Sequence, residues 1–200
     1  MLTKMLDGLR LTRLRRSAVR YAEHDWDVVP GAVRRGDRFR CAAQCPAVAC
    51  HPDWLGWEQT ITRNPEWVAA LWAFRPRAIL LATGRAFDVL EVPAFLGAGA
   101  ERGAVRGPVA VTGVGRWMFL VRPGAVLHPA FLDRPDVVLH GRGSWIPAPP
   151  TVTLEGRVRW LVDPEEVRWR LPDGQSVQAR LAGALPPVPG RQPLPWPRIA

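Results

Sequence analysis

The chain has 200 residues, enough for one domain with a real core or one domain plus a tail. Hydrophobic residues make up 48%, which excludes a disordered chain, and no apolar run approaches the roughly 20 residues needed to cross a bilayer. The net charge of +9 comes almost wholly from arginine, with Lys4 the single lysine. Arginine's planar fork suits phosphates and a basic balance fits a nucleic-acid partner, although a GC-rich coding sequence raises Arg, Ala, Gly and Pro together.

The N-terminus, MLTKMLDGLRLTRLRR, is basic and amphipathic, without the apolar stretch and small-residue cleavage site of a secretory signal. The expectation is a cytoplasmic protein whose residues 1–16 form a helix or arm. Arg13 to His24 reads as a helix with Leu14, Ala18, Tyr21 and Ala22 on one face. Trp26 to Val29 alternates like a short strand and stops at Pro30-Gly31. Arg34 to Trp57 holds Gly, Pro and all three cysteines and reads as a loop or small metal knuckle. Asn64-Pro65-Glu66 starts a helix, with a cap residue, proline at the first position and then an acid; the helix ends before Pro76.

Ala78–Leu81 and Phe87–Val92 read as two apolar strands of one hairpin, joined through Thr83-Gly84-Arg85. Val109–Thr112 and Trp117–Val121 form a second hairpin. Asp136–Leu139, Ser144–Ile146 and Val158–Leu161 supply further strands. This order predicts an α+β domain over 17–184 with one central, mostly antiparallel sheet, flanked by helices and carrying a small Cys-rich loop. From Leu185 the chain is Pro-rich, which predicts an extended tail over 185–200. The ten tryptophans are spread along the chain. Some could stack on bases, and most are expected to pack in the core.

Cys41, Cys45, Cys50 and His51 give C-x3-C-x4-C-H. In a reducing compartment such a cluster points to metal ligation before disulfide formation, and thiolates with an imidazole suit a structural, tetrahedral Zn²⁺. The same residues also fit a reduced, metal-free cluster. Adjacent ligands such as Cys50 and His51 crowd one metal, so His24 or Asp53 could complete the shell. Thr112-Gly113-Val114-Gly115-Arg116 is Gly-rich but lacks the Gly-Lys-Ser/Thr ending and the following helix of a P-loop, and Gly-x-Ser-x-Gly is absent.

Several phrases together resemble the bifunctional primase-polymerase family, a branch of the archaeo-eukaryotic primases. They are Ala18 to Pro30, Cys41 to Pro52, Leu81-Ala82-Thr83-Gly84, Phe87 to Val92, Gly115-Arg116-Trp117-Met118-Phe119 and Gly141 to Thr151, in family order. The composition resembles an actinobacterial branch. The resemblance implies a sheet domain related to RNA-recognition modules and template-directed nucleotide addition. In such enzymes two acids on one strand and a third on a neighbour hold divalent metals, Mg²⁺ or Mn²⁺, and a histidine contacts the incoming nucleotide. The resemblance also supports the Cys-rich loop, which in related members ends in His-Pro; there the last cysteine sits a few residues before His, so Cys45 matches it and Cys50 is extra.

The implied catalytic pattern is incomplete. Acid-x-acid puts two carboxylates on one face of a strand. Here Glu91 takes the first acid position and Pro93 the second. Asp88, three residues earlier, points to the other face of a regular strand. Trp117 stands where the histidine is expected and Val138 where the third acid is expected, with Asp136 two residues before it. Asp88, Glu91 and Asp136 read either as a remnant metal site or as strand acids paired with arginines. Arg116, Trp117, His140, Arg142 and Ser144 are the candidate nucleotide or DNA contacts. The expected function is a catalytically degenerate, DNA- or nucleotide-binding primase-polymerase-like protein. The alternatives are an active primase/polymerase with a rearranged metal site, and a protein-interaction module whose cleft is closed by Trp117 and Trp145.

Overall fold

Helix α1 spans Leu2–Glu23 without a break, so the division expected after residue 16 falls inside one helix. The computed structural model describes residues 2–101 and 107–185; the Pro-rich stretch 186–200 lies outside the described residues. The apolar face of α1 follows the expected spacing: Leu14, Ala18, Tyr21 and Ala22 are all buried. None of the described helices is long and apolar enough to cross a membrane.

Strand β1 (Val28–Arg35) runs through Pro30-Gly31, where a stop was expected. The ladder to β3 (Arg77–Ala82) shifts register between Pro30 and Val33, and that irregularity accommodates the proline. β2 (Arg38–Arg40) folds back on β1, so the start of the expected loop is a hairpin. Helix α2 (Pro65–Leu71) begins as its sequence predicts: the Asn64 side chain accepts hydrogen bonds from the backbone N–H of Glu66 and Trp67.

The expected hairpin of β3 with β4 (Asp88–Val92) does not form. β3 belongs to a four-stranded sheet in the order β2-β1-β3-β8, with β8 at Trp145–Pro147. β4 belongs to a five-stranded sheet in the order β11-β5-β6-β4-β7, with β5 at Val109–Val111, β6 at Trp117–Val121, β7 at Val138–His140 and β11 at Arg159–Val162. Two sheets therefore replace the single one expected, and the fold remains α+β and antiparallel. A further two-stranded ribbon joins β9 (Val152–Thr153) to β10 (Gly156–Arg157). Helices α3 (Ala94–Glu101) and α4 (Gly174–Gly183) and two 3₁₀ turns, Trp57–Thr60 and Pro129–Phe131, complete the described elements.

The two sheets share one core. Val28, Ile79, Leu81 and Ile146 of the first meet Val89, Ala110, Met118 and Leu120 of the second, with Ala18, Tyr21 and Trp26 between them. The other face of the five-stranded sheet carries a second core of Leu90, Val92, Phe119 and Val121, closed by Leu96 of α3 and by Val177 and Leu181 of α4. Among the described tryptophans, Trp26 and Trp72 are buried, Trp67 is exposed and the other six are half-buried.

Candidate functional site

β4 lies between β6 and β7, and the register decides which side chains meet. Glu91 stands directly opposite Met118 on β6 and Val138 on β7, and Val89 stands opposite His140. Side-chain alternation therefore puts Glu91, Val89, Val138 and His140 on one face. Asp88, Leu90 and Trp117 are on the other. Trp117 packs there against α3, where a Cβ on Gly97 would lie 2.4 Å from its ring.

The turn after β7 fixes the rest of the site. Thr83 donates its hydroxyl to the Gly141 carbonyl at 2.6 Å, and its N–H donates to the Ser144 carbonyl at 3.0 Å. Gly84, at φ +92°, approaches the Arg142 backbone so closely that a Cβ would fall 2.2 Å from its Cα. The turn that carries His140, Arg142 and Ser144 is thus clamped to the segment linking the two sheets.

On this frame four polar side chains converge. Arg116 Nε donates to Glu91 Oε1 at 2.7 Å, and His140 Nε2 donates to Glu91 Oε2 at 2.9 Å. His140 Nδ1 then accepts from the Ser144 hydroxyl at 2.9 Å. Arg116 also donates from Nη1 to the Asp136 carbonyl at 2.8 Å. Burial alone would raise the Glu91 carboxyl; the hydrogen bonds from His140 and Arg116 outweigh it and hold the carboxyl below its ordinary value.

The other two acids go elsewhere. Asp88 is buried; one oxygen accepts from the Ala125 N–H at 2.8 Å, and the other is buried without a hydrogen-bond partner. Asp136 precedes the strand rather than lying on it, and its carboxylate pairs with Arg134 at 2.7 Å, which holds it below the usual range. Asp88 therefore faces away from Glu91, while Asp136 stays near it through Arg116, with its own carboxylate turned to Arg134. Arg142 is exposed at the tip of the turn. Trp145 packs against Val29, Leu80 and Ala82 of the four-stranded sheet.

This donor set does not fit the divalent metal pair of a nucleotidyl transferase. A hard cation needs about six oxygens, several of them from carboxylates. Glu91 has both oxygens engaged, Val138 occupies the position across from it, and a guanidinium already supplies the positive charge. The sequence marked Glu91, Arg116 and His140 separately. It did not reveal that Arg116 and His140 close on Glu91, since that depends on strand pairing.

Among the described residues, one group of three could hold a metal ion: Cys41, Cys45 and His51. The two Sγ atoms lie 3.3 Å apart, and Cys45 Sγ lies 3.3 Å from His51 Nε2. His51 Nδ1 donates to the Ala49 carbonyl at 2.6 Å, which fixes the ring and turns Nε2 toward the thiols. The Cys45 N–H donates to Cys41 Sγ, and the hydrogen bond with His51 is the main reason that the Cys41 thiol is lowered to about 7. Cys50 is outside this group; it packs against both apolar clusters of the four-stranded sheet, and burial pushes its thiol up to about 12. His24 stacks on Trp169, and Asp53 pairs with Arg77, so neither joins the group.

The α+β, antiparallel fold agrees with what the sequence resemblance implied. The chain matches the family described as Bifunctional DNA primase/polymerase, N-terminal, over residues 18–178, and it belongs to that family. Neither a curated protein nor a solved structure matches it significantly.

Proposed function

We propose that this protein is a cytoplasmic, catalytically degenerate primase-polymerase domain that binds DNA or nucleotides and serves in, or regulates, a DNA transaction. The observation that carries the reading is the closed state of Glu91. Both its oxygens accept hydrogen bonds from cationic or imidazole donors, and the residue across from it is Val138. Two-metal phosphoryl transfer needs carboxylates that share the ions, and this face offers one. Arg142 is the proposed contact to a phosphate at the turn, with His140 and Ser144 behind it.

Cys41, Cys45 and His51 are the proposed ligands of a structural zinc. Zinc would cross-link the loop after β2 through three protein ligands, with water at the fourth tetrahedral position.

The decisive assay is dNTP incorporation on a primed template with Mg²⁺ and with Mn²⁺. The expected outcome is none, and no change for Glu91→Ala. Metal-dependent incorporation that Glu91→Ala abolishes would establish an active polymerase with a rearranged site instead.

A further inference from the structure

Four of the five arginines of α1 share one face; Arg15 lies off it and donates to the Ala69 carbonyl. Arg10, Arg13, Arg16 and Arg20 recur at three- and four-residue intervals, so they line one side of the helix. Like charges at these spacings destabilise an isolated helix. Here the row does not look into open solvent alone. It borders two adjoining cavities that share Leu9, Arg13 and Pro150.

The first cavity, of about 360 Å³, is lined by Arg10, Arg13, Arg34, Arg77 and Arg157, drawn from α1, β1, β3 and β10. Among the described residues, no acidic one lines it. Arg77 is committed to Asp53. Arg13 and Arg157 are exposed, and Arg34 is half-buried. The second cavity, of about 630 Å³, carries Arg13, Arg16 and Arg20 beside half-buried Trp160 and Trp169. Asp163 also lines it, and Arg20 pairs with Glu165, so its far end is less basic. Both volumes fall in the roughly 300–1,000 Å³ range of ligand sites. None of these residues belongs to the cluster around Glu91.

We infer that this groove along α1 binds single-stranded nucleic acid, with phosphates on Arg13, Arg34 and Arg157 and bases against Trp160 and Trp169. Guanidiniums followed by indoles along one channel match a charged backbone with apolar bases beside it. A lipid surface fits less well, because the apolar face of α1 is already buried in the core. The inference rests on the reading of the domain as a nucleic-acid binder, and it moves the main contact away from the turn at 140–144, where Arg116 is already engaged by Glu91.

The test is fluorescence anisotropy of a labelled oligothymidylate of about 20 nucleotides with the full chain. Three contacts at about 0.7 each set the expected salt response: Arg13→Gln/Arg34→Gln/Arg157→Gln lowers the slope of log K against log salt by about 2, and weakens binding at least about tenfold at low salt. Arg142→Gln, which removes one proposed contact at the turn, should weaken binding less than the triple variant does. Unchanged binding in the triple variant with a large loss in Arg142→Gln overturns the groove and leaves the proposed function standing. No binding by the wild-type chain overturns both. A second measurement needs no variant: photocrosslinking of a thiothymidine oligonucleotide to the wild-type protein should label peptides from α1 and around Trp160. Labels confined to the turn at 140–144 overturn the inference.

Discussion

The carboxylate of Glu91 accepts from Arg116 and from His140, and its stability contribution follows from those two bonds. Its acid form is disfavoured in the fold, so its folded pKa lies below the ordinary 4.5. A carboxyl of this kind stabilises the fold above the unfolded pKa and loses that contribution as pH falls through the folded one. Glu91→Gln should therefore cost about 1–3 kcal/mol at pH 7, the range for charge-assisted hydrogen bonds. The gap between wild type and variant should narrow below about pH 4.5, and urea denaturation across pH measures it. The residue across the ladder supplies a complementary test. Val138 is paired with Glu91, so Val138→Asp would set a second carboxylate about 5 Å away at Cβ. Arg116 would still compete with a cation there. Val138→Asp/Arg116→Ala should bind Mn²⁺ detectably by electron paramagnetic resonance while the wild-type face does not. Absence of binding in the double variant would remove Val138 from the third acid position.

At the scale of elements, the loop after β2 is held from two sides. Asp53 accepts from Arg77 and from the Ala42 N–H, which ties the loop to β3. The proposed zinc would tie it a second time through Cys41, Cys45 and His51. Metal analysis of purified protein should give about one zinc per chain. Chelation or Cys45→Ser should lower Tm by several degrees, because metal binding is linked to folding of the site. Cys50→Ala should keep the zinc, since Cys50 packs against apolar side chains instead. The local signals in the sequence were sufficient for elements fixed by neighbours in the chain. The Asn64 cap, the buried face of α1 and the hairpin of β5 with β6 all follow from spacing or turn residues. They were insufficient for β3 and β4. Both are short apolar runs around a glycine turn, and nothing local says that one pairs with β1 and β8 while the other pairs with β6 and β7. The site was hidden for the same reason: Glu91, Arg116 and His140 were each visible, and only long-range register brings them together.

At the scale of the molecule, the shared core sets how the protein unfolds. The cluster between the sheets draws on α1, both sheets and Val68 of α2, so neither sheet can bury its inner face alone. The buried pair Arg77–Asp53 joins the same assembly, and removing one partner strands a buried charge. Asp53→Ala should cost about 3–5 kcal/mol, read as a lower denaturation midpoint. The size of that loss separates a structural pair from a surface one, which contributes about 1 kcal/mol or less. Packing between the sheets also predicts cooperativity. Tryptophan fluorescence sums over all ten indoles, with Trp26 and Trp72 in the shared core, and far-UV circular dichroism reports all elements. If the sheets unfold as one unit, both probes should give one coincident transition in urea. Met118→Ala, a cavity at the inner face of the five-stranded sheet, should shift both midpoints equally and cost about 2–5 kcal/mol. Separate transitions for the two probes would mean that the sheets are independently stable. The turn at 140–144, clamped to Thr83 and Gly84 between the sheets, would then lose its fixed position whenever one sheet opened.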